Sequence, residues 1–251
     1  MNKTDIIIPL YNEKDNLDIL LNKIFNIYNT YEIYINKLFF ILVDNGSTDE
    51  TYDYILKAIS NNRYKSNIKL IRIEKNIGYG NGIKKGLQLS NTKIVGWTHG
   101  DNQSDPEDII SALNYYSNLN TKLKQNIILK GKRVKRKKLS KIFSILMEFT
   151  TFIFTLKYLR DINAQPKIFD NNLKKRLLAK KTPDDFNLDL ELLLIGKESK
   201  YEIHNLPVNF HDRFASEAKG ADNLKNVHKV VFSTLKYLIE RLISKFIFIN
   251  N

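Results

Sequence analysis

Short apolar runs alternate with helical patterns over the first hundred residues, and this alternation constrains the fold more than any other feature of the chain. Each run is almost continuously apolar, as expected for strands that helices cover on both faces. A repeated strand–helix order is typical of βαβ units in a mostly parallel sheet. We predict an α/β fold with strands at residues 5–10, 39–44, 68–74, 94–98 and 127–129 and helices at 16–28, 49–60, 79–90 and 106–119.

The composition limits the classes of partner. A net charge of +13 attracts anions such as nucleic acid, anionic lipid head groups and phosphorylated substrates. We expect no nucleic-acid partner, because no helix-turn-helix or aromatic platform accompanies the charge. The absence of cysteine excludes disulfides and thiolate metal sites. The start of the chain has too short an apolar run for a cleaved signal peptide, so we expect a cytoplasmic protein.

Two apolar segments outside the alternating region suggest contact with a membrane surface. Residues 142–159 are apolar almost all round but include Glu148 and Lys157, which makes them marginal for crossing about 30 Å of hydrocarbon. We expect a helix in the membrane interface, the alternative being a buried helix. Residues 224–249 form a basic amphipathic pattern, which suits an anionic membrane surface or a small membrane subunit unless the helix packs on its own domain.

In a mostly parallel sheet, ligands bind beyond the carboxyl ends of the strands, so the loops at those ends are the candidate binding loops. After the first predicted strand comes Pro9-Leu10-Tyr11-Asn12-Glu13, which enters a helix and offers free N–H groups. After the second comes Asp44-Asn45-Gly46-Ser47-Thr48-Asp49, in which Gly46 permits a tight turn and Ser47 or Asp49 caps the next helix.

The loops after the third and fourth predicted strands carry two further motifs. Asn76-Ile77-Gly78-Tyr79-Gly80 superficially matches a dinucleotide-binding glycine motif, but it lacks the acidic residue expected about 20 positions later. His99-Gly100-Asp101-Asn102-Gln103 precedes Asp105-Pro106-Glu107. The start of a helix would explain the latter segment, but it would not explain Asp101 and Gln103, whose oxygen atoms suit a divalent cation.

Several charged residues in the second half of the chain are also candidate site residues. Arg133 begins the basic run 133–138, which is a solvated or lipid-facing patch unless Arg133 contacts a phosphate. Asp185 and Asp189 lie at the start of a predicted helix, where acidic residues stabilise the helix dipole. Arg213 and Lys219 lie in a segment where two cations on a flexible loop could clamp phosphates and exclude water.

Taken in this order, the motifs resemble glycosyltransferase family 2, and within it the dolichyl- and polyprenyl-phosphate sugar synthases. The resemblance covers about residues 4–220. It implies a GT-A fold, which is Rossmann-like, with amphipathic helices at the C-terminus. Residues 1–220 would form the GT-A domain, including the 142–159 helix, and residues 221–251 would form a membrane-associated helix.

The resemblance also assigns roles to residues. It implies a nucleotide-diphosphate sugar as the sugar donor and a divalent cation, Mn²⁺ or Mg²⁺, on the diphosphate. The implied metal ligands are His99, Asp101 and Gln103. The implied nucleotide-sugar contacts are Pro9, Tyr11, Asn12, Glu13, Asp44, Asn45, Gly78, His99, Gly100 and Arg133, and the implied catalytic set is Asp101, Arg213, Lys219, Asp185 and Asp189.

Three segments depart from the family pattern. Asn45 replaces an aspartate, which leaves the choice between UDP- and GDP-sugars open. His99 replaces the first aspartate of the metal motif, and an imidazole there suits Mn²⁺ better than Mg²⁺ or contacts the phosphates directly. Gln165-Pro166-Lys167 replaces Gly-Phe-Arg, and we expect it to shape the sugar or acceptor pocket.

We therefore expect an inverting, metal-dependent glycosyltransferase at the inner face of the membrane. Its acceptor would be lipid-linked, in the first place polyprenyl phosphate. A hydroxyl of a surface-glycan precursor is the alternative acceptor, and it would need Asp185 or Asp189 as a general base, whereas a phosphate would not. A non-catalytic membrane-binding scaffold on the same fold is the second alternative, and the chain could form a homo-oligomer.

Overall fold

The computed structural model describes residues 2–119, 126–134, 138–211 and 224–249. The strands are β1 (Thr4–Leu10), β2 (Leu38–Asp44), β3 (Ile68–Arg72), β4 (Ile94–Trp97), β5 (Ile127–Arg133), β6 (Lys167–Asp170) and β7 (Glu202–Val208). The helices are α1 (Leu17–Thr30), α2 (Thr51–Ser60), α3 (Tyr79–Leu89), α4 (Glu107–Asn118), α5 (Lys138–Thr155), α6 (Asn171–Leu178), α7 (Asn187–Glu198) and α8 (Leu224–Ile249). The elements predicted for the first half are confirmed, with small shifts at their ends.

The strands form one sheet in the order β3-β2-β1-β4-β6-β5-β7. β1 pairs in parallel with β2 and β4, β2 pairs in parallel with β3, and β5 pairs in parallel with β7. β6 runs antiparallel to both of its neighbours, β4 and β5. The sheet is therefore mostly parallel, as predicted, although β6 and β7 were not among the predicted strands.

Helices cover both faces of β1. Successive side chains of a strand point to opposite faces, so neighbouring residues of β1 pack against different helices. Ile6 and Ile8 belong to an apolar cluster that includes side chains of α1, α2 and α4. Ile7 faces α3, which approaches so closely that a Cβ on Gly86 would lie 2.5 Å from the Ile7 side chain. All three isoleucines are fully buried. This packing holds β1 in the middle of the protein and leaves its carboxyl end to the binding loops.

Contacts divide the chain into two compact units, residues 1–134 with 164–216, and residues 135–163 with 217–251. The first unit contains the sheet, and the second contains α5 and α8, which pack on each other. The sequence-based domain boundaries, residues 1–220 including the 142–159 helix and residues 221–251, differ from these units and stay a prediction. Among the described residues, no helix is both long enough and apolar enough to cross a membrane.

Candidate active site

The carboxyl ends of β3, β2, β1 and β4 lie side by side, because these four strands are parallel neighbours in the sheet. The loops that leave them are the four that the sequence singled out. Pro9 and Tyr11 are half-buried at the end of β1. The structure therefore gathers the predicted loops at one edge of the sheet, where α/β folds of this type bind ligands.

The loops after β1 and β2 are tied together by hydrogen bonds. Asn12, which has a left-handed backbone with φ 52°, donates its N–H to Ser47 Oγ at 3.0 Å, and its Oδ1 accepts from the Thr48 N–H at 2.8 Å. The Glu13 N–H donates to Thr51 Oγ1 at 3.0 Å. Asn12 and Glu13 thus connect the two predicted nucleotide-binding loops to each other.

Asp44 ends β2 as a fully buried carboxylate beside a cation. Its Oδ1 accepts from the Ser47 N–H at 3.0 Å, and its Oδ2 lies 3.2 Å from Arg72 Nε. Arg72 ends β3, and its guanidinium lies 5.0 Å from the centre of the Tyr52 ring. The sequence analysis gave Arg72 no role. Its position at the end of a parallel strand is the signal that would have pointed to it.

Asn45 connects the loop after β2 to the loop after β3. Its N–H donates to the Leu10 carbonyl at 2.7 Å, and its Nδ2 donates to the Gly78 carbonyl at 3.0 Å. The Asn45 Oδ1 atom is buried and has no hydrogen-bond partner within the described part of the chain. An amide oxygen in this condition favours a ligand that donates a hydrogen bond.

Gly78 allows the 184–185 segment to lie against the start of α3. Its φ of 140° suits glycine, and a Cβ there would lie 2.2 Å from the Asp184 carbonyl oxygen. That oxygen accepts from the Asn81 N–H at 3.0 Å. Asp185 accepts from both the backbone N–H and the Nδ2 of Asn187, each at 2.9 Å, so its carboxylate caps the first turn of α7.

The loop after β4 carries the predicted metal ligands and is braced from two sides. Asp101 is 8% exposed, and its Oδ1 accepts from the Gln103 N–H at 3.1 Å. Asn102 donates from Nδ2 to the Asn16 carbonyl at 2.8 Å. On the other side, the Gln103 carbonyl accepts from the His211 N–H at 2.9 Å. Asp101 and Gln103 therefore sit on a loop whose backbone is fixed.

His99 lies in the same loop, and its imidazole is half-buried. Its ring centre is 5.3 Å from that of Tyr79, with 31° between the ring planes. Burial lowers the pKa of His99, although the charges of Asp101 and Asp189 act in the opposite direction. The imidazole is therefore neutral near pH 7, which is the form that binds metal ions.

The side chains at this loop fit a divalent cation that shares its ligands with a substrate. Asp101 offers a carboxylate, Gln103 an amide oxygen and His99 a neutral nitrogen, a set compatible with Mn²⁺. Within residues 2–119, 126–134, 138–211 and 224–249, no three His, Cys, Asp or Glu side chains form a group that could hold an ion by themselves. Divalent cations in nucleotide sites are commonly bound through one or two carboxylates together with substrate phosphates.

Asp189 is fully buried and bonded to three side chains. Its Oδ1 accepts from Trp97 Nε1 at 2.9 Å and lies 2.7 Å from Lys167 Nζ. Gln165 Nε2 donates to both carboxylate oxygens, at 3.1 and 3.2 Å. The structure thus surrounds Asp189 with donors. The contact of Gln165 and Lys167 with Asp189 was not predicted, because no local pattern links positions that far apart in the chain.

The remaining predicted site residues are Arg133, Gly100, Arg213 and Lys219, and only the first two lie in the described part of the chain. The Arg133 guanidinium lies 5.0 Å from the centre of the Phe210 ring, at the end of β5. Gly100 follows His99, and a Cβ on it would lie 2.2 Å from Leu10 Cδ2, so the loop after β4 contacts the end of β1. Arg213 and Lys219 lie outside the described residues.

Comparison with known proteins identifies the family. The model of "Glycosyl transferase family 2" matches residues 5–180. A dolichyl-phosphate beta-glucosyltransferase of Saccharomyces cerevisiae is 23% identical over 252 residues, which cover 93% of this chain and 75% of the yeast protein. A dolichol-phosphate mannosyltransferase of Pyrococcus furiosus is 27% identical over 245 residues, which cover 94% of this chain and 62% of that protein.

Solved structures share the fold. A glucosyl-3-phosphoglycerate synthase from Mycobacterium tuberculosis, crystallised with Mn²⁺, UDP and phosphoglyceric acid, matches with a TM-score of 0.68 and 14% identity over 94% of this chain and 78% of that one. A mannosyltransferase from Pyrobaculum calidifontis with GDP-Man and Mn²⁺ matches with a TM-score of 0.56 and 18% identity over 82% of this chain and 55% of that one. These likenesses confirm the predicted GT-A fold. Because the family model spans most of the sheet-bearing unit, the chain belongs to glycosyltransferase family 2.

Proposed function

We propose that this chain is an inverting glycosyltransferase that moves a sugar from a nucleotide diphosphate to polyprenyl phosphate. The observation that carries the proposal is the convergence of the loops after β1, β2, β3 and β4 at one sheet edge, with Asp101 and Gln103 on the last of them. The yeast and Pyrococcus relatives, whose names specify dolichyl or dolichol phosphate, support the choice of acceptor.

The chain's own residues supply binding and orientation. Asn12, Glu13 and Asp44 lie where the nucleoside would bind, and Asp101, Gln103 and His99 would hold a divalent cation on the diphosphate. Such a cation, when bound, stabilises negative charge on the departing diphosphate. An acceptor phosphate oxygen forms its bond to the anomeric carbon on the face opposite the diphosphate, and the sugar–diphosphate bond breaks. Attack from the opposite face inverts the anomeric centre.

A phosphate acceptor fits the state of the two candidate bases. A phosphate is already an anion and needs no proton acceptor, whereas a hydroxyl needs a carboxylate within reach. Asp189 is buried and bonded to Trp97, Gln165 and Lys167, and Asp185 caps α7 through Asn187. Both carboxylates are thus engaged in holding the protein, which supports the phosphate over the hydroxyl.

The unit formed by α5 and α8 supports a lipid-facing role. In α5, Ile145, Phe149 and Ile153 lie four residues apart and are 51%, 62% and 56% exposed. In α8, Ile239 and Ile243 are 41% and 55% exposed. The acidic residue within α5, Glu148, accepts a hydrogen bond from the Asp161 N–H at 2.7 Å. An exposed apolar face in a chain of net charge +13 suits the anionic inner leaflet, where a polyprenyl phosphate would be embedded.

The test is a transfer assay. Purified protein is incubated with Mn²⁺ or Mg²⁺, polyprenyl phosphate in anionic vesicles and a panel of UDP- and GDP-sugars, and the lipid is examined by mass spectrometry. A glycosylated polyprenyl phosphate is expected with one sugar donor. Asp101→Asn should lower its yield by about 100-fold or more, while Asp53→Asn, at an exposed position of α2, should not.

Two results would contradict the proposal, and each would favour one alternative. Transfer to a hydroxyl-bearing lipid precursor but not to the phosphate would favour the alternative acceptor. Tight binding of a nucleotide sugar and Mn²⁺ without turnover on any lipid acceptor would favour a non-catalytic protein on the same fold.

A further inference from the structure

Five side chains form a continuous chain of contacts from a buried ion pair to the predicted metal loop. The ion pair is Asp189 with Lys167, at 2.7 Å, and both side chains are at most 1% exposed. Gln165 Nε2 donates to Asp189 and also to Tyr79 Oη, the latter at 3.2 Å. The Tyr79 ring then lies against His99, with 5.3 Å between the ring centres.

The geometry of Gln165 fixes the far end of Tyr79. A side-chain amide nitrogen has two hydrogens, and here one serves the Asp189 carboxylate and the other the Tyr79 hydroxyl. Gln165 is 1% exposed, so its side chain is shielded from bulk solvent. The near end of Tyr79 is fixed because it is the first residue of α3.

His99 lacks the negative charge that would orient a carboxylate at its position. A carboxylate at this position would be oriented by the positive charge of a cation and of nearby lysines or arginines. An imidazole has no negative charge for these cations to attract, so its orientation depends more on packing. The aromatic face of Tyr79 provides this packing, at an angle of 31°.

We infer that Tyr79 is a positioning residue for His99, and that the Asp189–Lys167 pair anchors it through Gln165. Asp189 acts on the nucleotide site from a distance and does not itself accept a proton from the substrate. The inference rests on the proposed function, since it takes His99 to be part of the nucleotide-diphosphate site. It explains why a carboxylate, a lysine and an amide are buried together below that site.

The structural half of the inference can be tested without substrate, by NMR of the four histidines. Tyr79→Leu removes the ring and should shift the His99 imidazole signals while leaving the other three unchanged. The matched control is Tyr115→Leu, since Tyr115 contacts His204 with 5.8 Å between ring centres elsewhere in the protein. The control should shift His204 only. Unchanged His99 signals in folded Tyr79→Leu would overturn the inference, whether or not the chain transfers sugar.

The functional half is a double-mutant cycle on nucleotide binding, measured by calorimetry with Mn²⁺ and GDP or UDP. Tyr79→Leu should weaken binding by about 10-fold or more, and Tyr115→Leu should not change it. In a His99→Asp background the same Tyr79→Leu change should have little effect, because a carboxylate does not rely on the ring. An equal loss in both backgrounds would show that Tyr79 acts independently of His99 and would refute the positioning role.

A second pair of variants removes only a hydroxyl and so perturbs the fold less than the leucine variants do. Tyr79→Phe keeps the ring but removes the hydroxyl that Gln165 binds, and Tyr115→Phe is its control. Tyr79→Phe should weaken nucleotide binding by a few-fold in the parent and not in the His99→Asp background. If both backgrounds respond alike, the link through Gln165 is wrong. If no variant or parent binds any nucleotide, the proposed function fails, and the NMR result decides the structural half alone.

Discussion

Three buried carboxylates near the proposed nucleotide site have different surroundings, and we expect them to have different roles. Asp44 lies beside Arg72, Asp101 accepts from the backbone of its own loop, and Asp189 is paired with Lys167. A charge removed from water requires such partners, because an unpaired buried charge is strongly unfavourable. The partner set thus separates Asp101, on the loop with the predicted metal ligands, from Asp189, whose charge is paired by Lys167.

Replacing Asp189 should destabilise the protein. Asp189→Asn leaves the Lys167 ammonium buried without its counter-charge, which costs about 3–5 kcal/mol. Urea unfolding followed by circular dichroism measures this loss. Asp53→Asn, at an exposed helical position, should change the unfolding free energy by less than about 1 kcal/mol. An Asp189→Asn protein as stable as the parent would contradict this stabilising role.

Asp108 should make stability fall as pH rises. Burial, and next the charge of Asp105, raises its pKa to about 7, and its Oδ2 is buried without a hydrogen-bond partner in the described structure. The folded state therefore holds a proton that the unfolded chain releases near pH 4. Between about pH 4 and 7 this contribution to stability is lost progressively.

The check is a comparison of Asp108→Asn with the parent protein by urea unfolding at pH 5 and pH 8. The variant should be more stable than the parent at pH 8, where the parent carries a buried charge, and this advantage should shrink at pH 5. The same stability difference at both pH values would show that Asp108 titrates normally.

At the scale of single residues, the sequence singled out candidate binding residues but not the contacts that support them. Asp101, Gln103 and His99 could be named as candidate ligands because their spacing within one loop forms a local motif, and their binding role stays a prediction. Arg72 beside Asp44 could not, and neither could Gln165 between Tyr79 and Asp189, because these contacts join positions distant in the chain. Only the order of strands in the sheet brings them together.

At the scale of elements, β1, β2 and β4 were predictable because their apolar runs are almost continuous and end in polar loops, and β3 because its apolar residues alternate with Lys69 and Arg72. β6 escaped prediction because it has only four residues and begins with a buried lysine, Lys167, which is paired by Asp189. β7 escaped because most of its side chains are at least partly exposed, and it contains Pro207. Both strands owe their conformation to pairing with β5 and not to their own composition.

The exposed faces of α5 and α8 should bind anionic lipid. Phe149→Ser and Ile243→Ser each remove a large exposed apolar side chain and should lower partitioning onto vesicles of anionic phospholipid by about tenfold. The control is Ile33→Ser, which alters an isoleucine that is 63% exposed in the sheet-bearing unit. Equal losses for all three variants, or no loss for the first two, would argue against a lipid-facing role for these helices.

At the scale of the whole molecule, metal binding and nucleotide binding should be linked. Because the described residues supply no complete group of metal ligands, Mn²⁺ alone should stabilise the protein only slightly. Mn²⁺ with GDP or UDP should raise the melting temperature by several degrees, since about 1 kcal/mol corresponds to about 2–4 °C for a chain of this size. Differential scanning calorimetry measures both. A large shift with Mn²⁺ alone would indicate a metal site that needs no diphosphate.

The most direct test of the whole account is a crystal structure of the chain with Mn²⁺ and GDP or UDP, in which anomalous scattering locates the metal. We expect the manganese to bridge the Asp101 carboxylate and the diphosphate, with the nucleoside over the loops after β1 and β2. A manganese peak that lacks Asp101 as a ligand, or a diphosphate bound away from the loop after β4, would contradict the account.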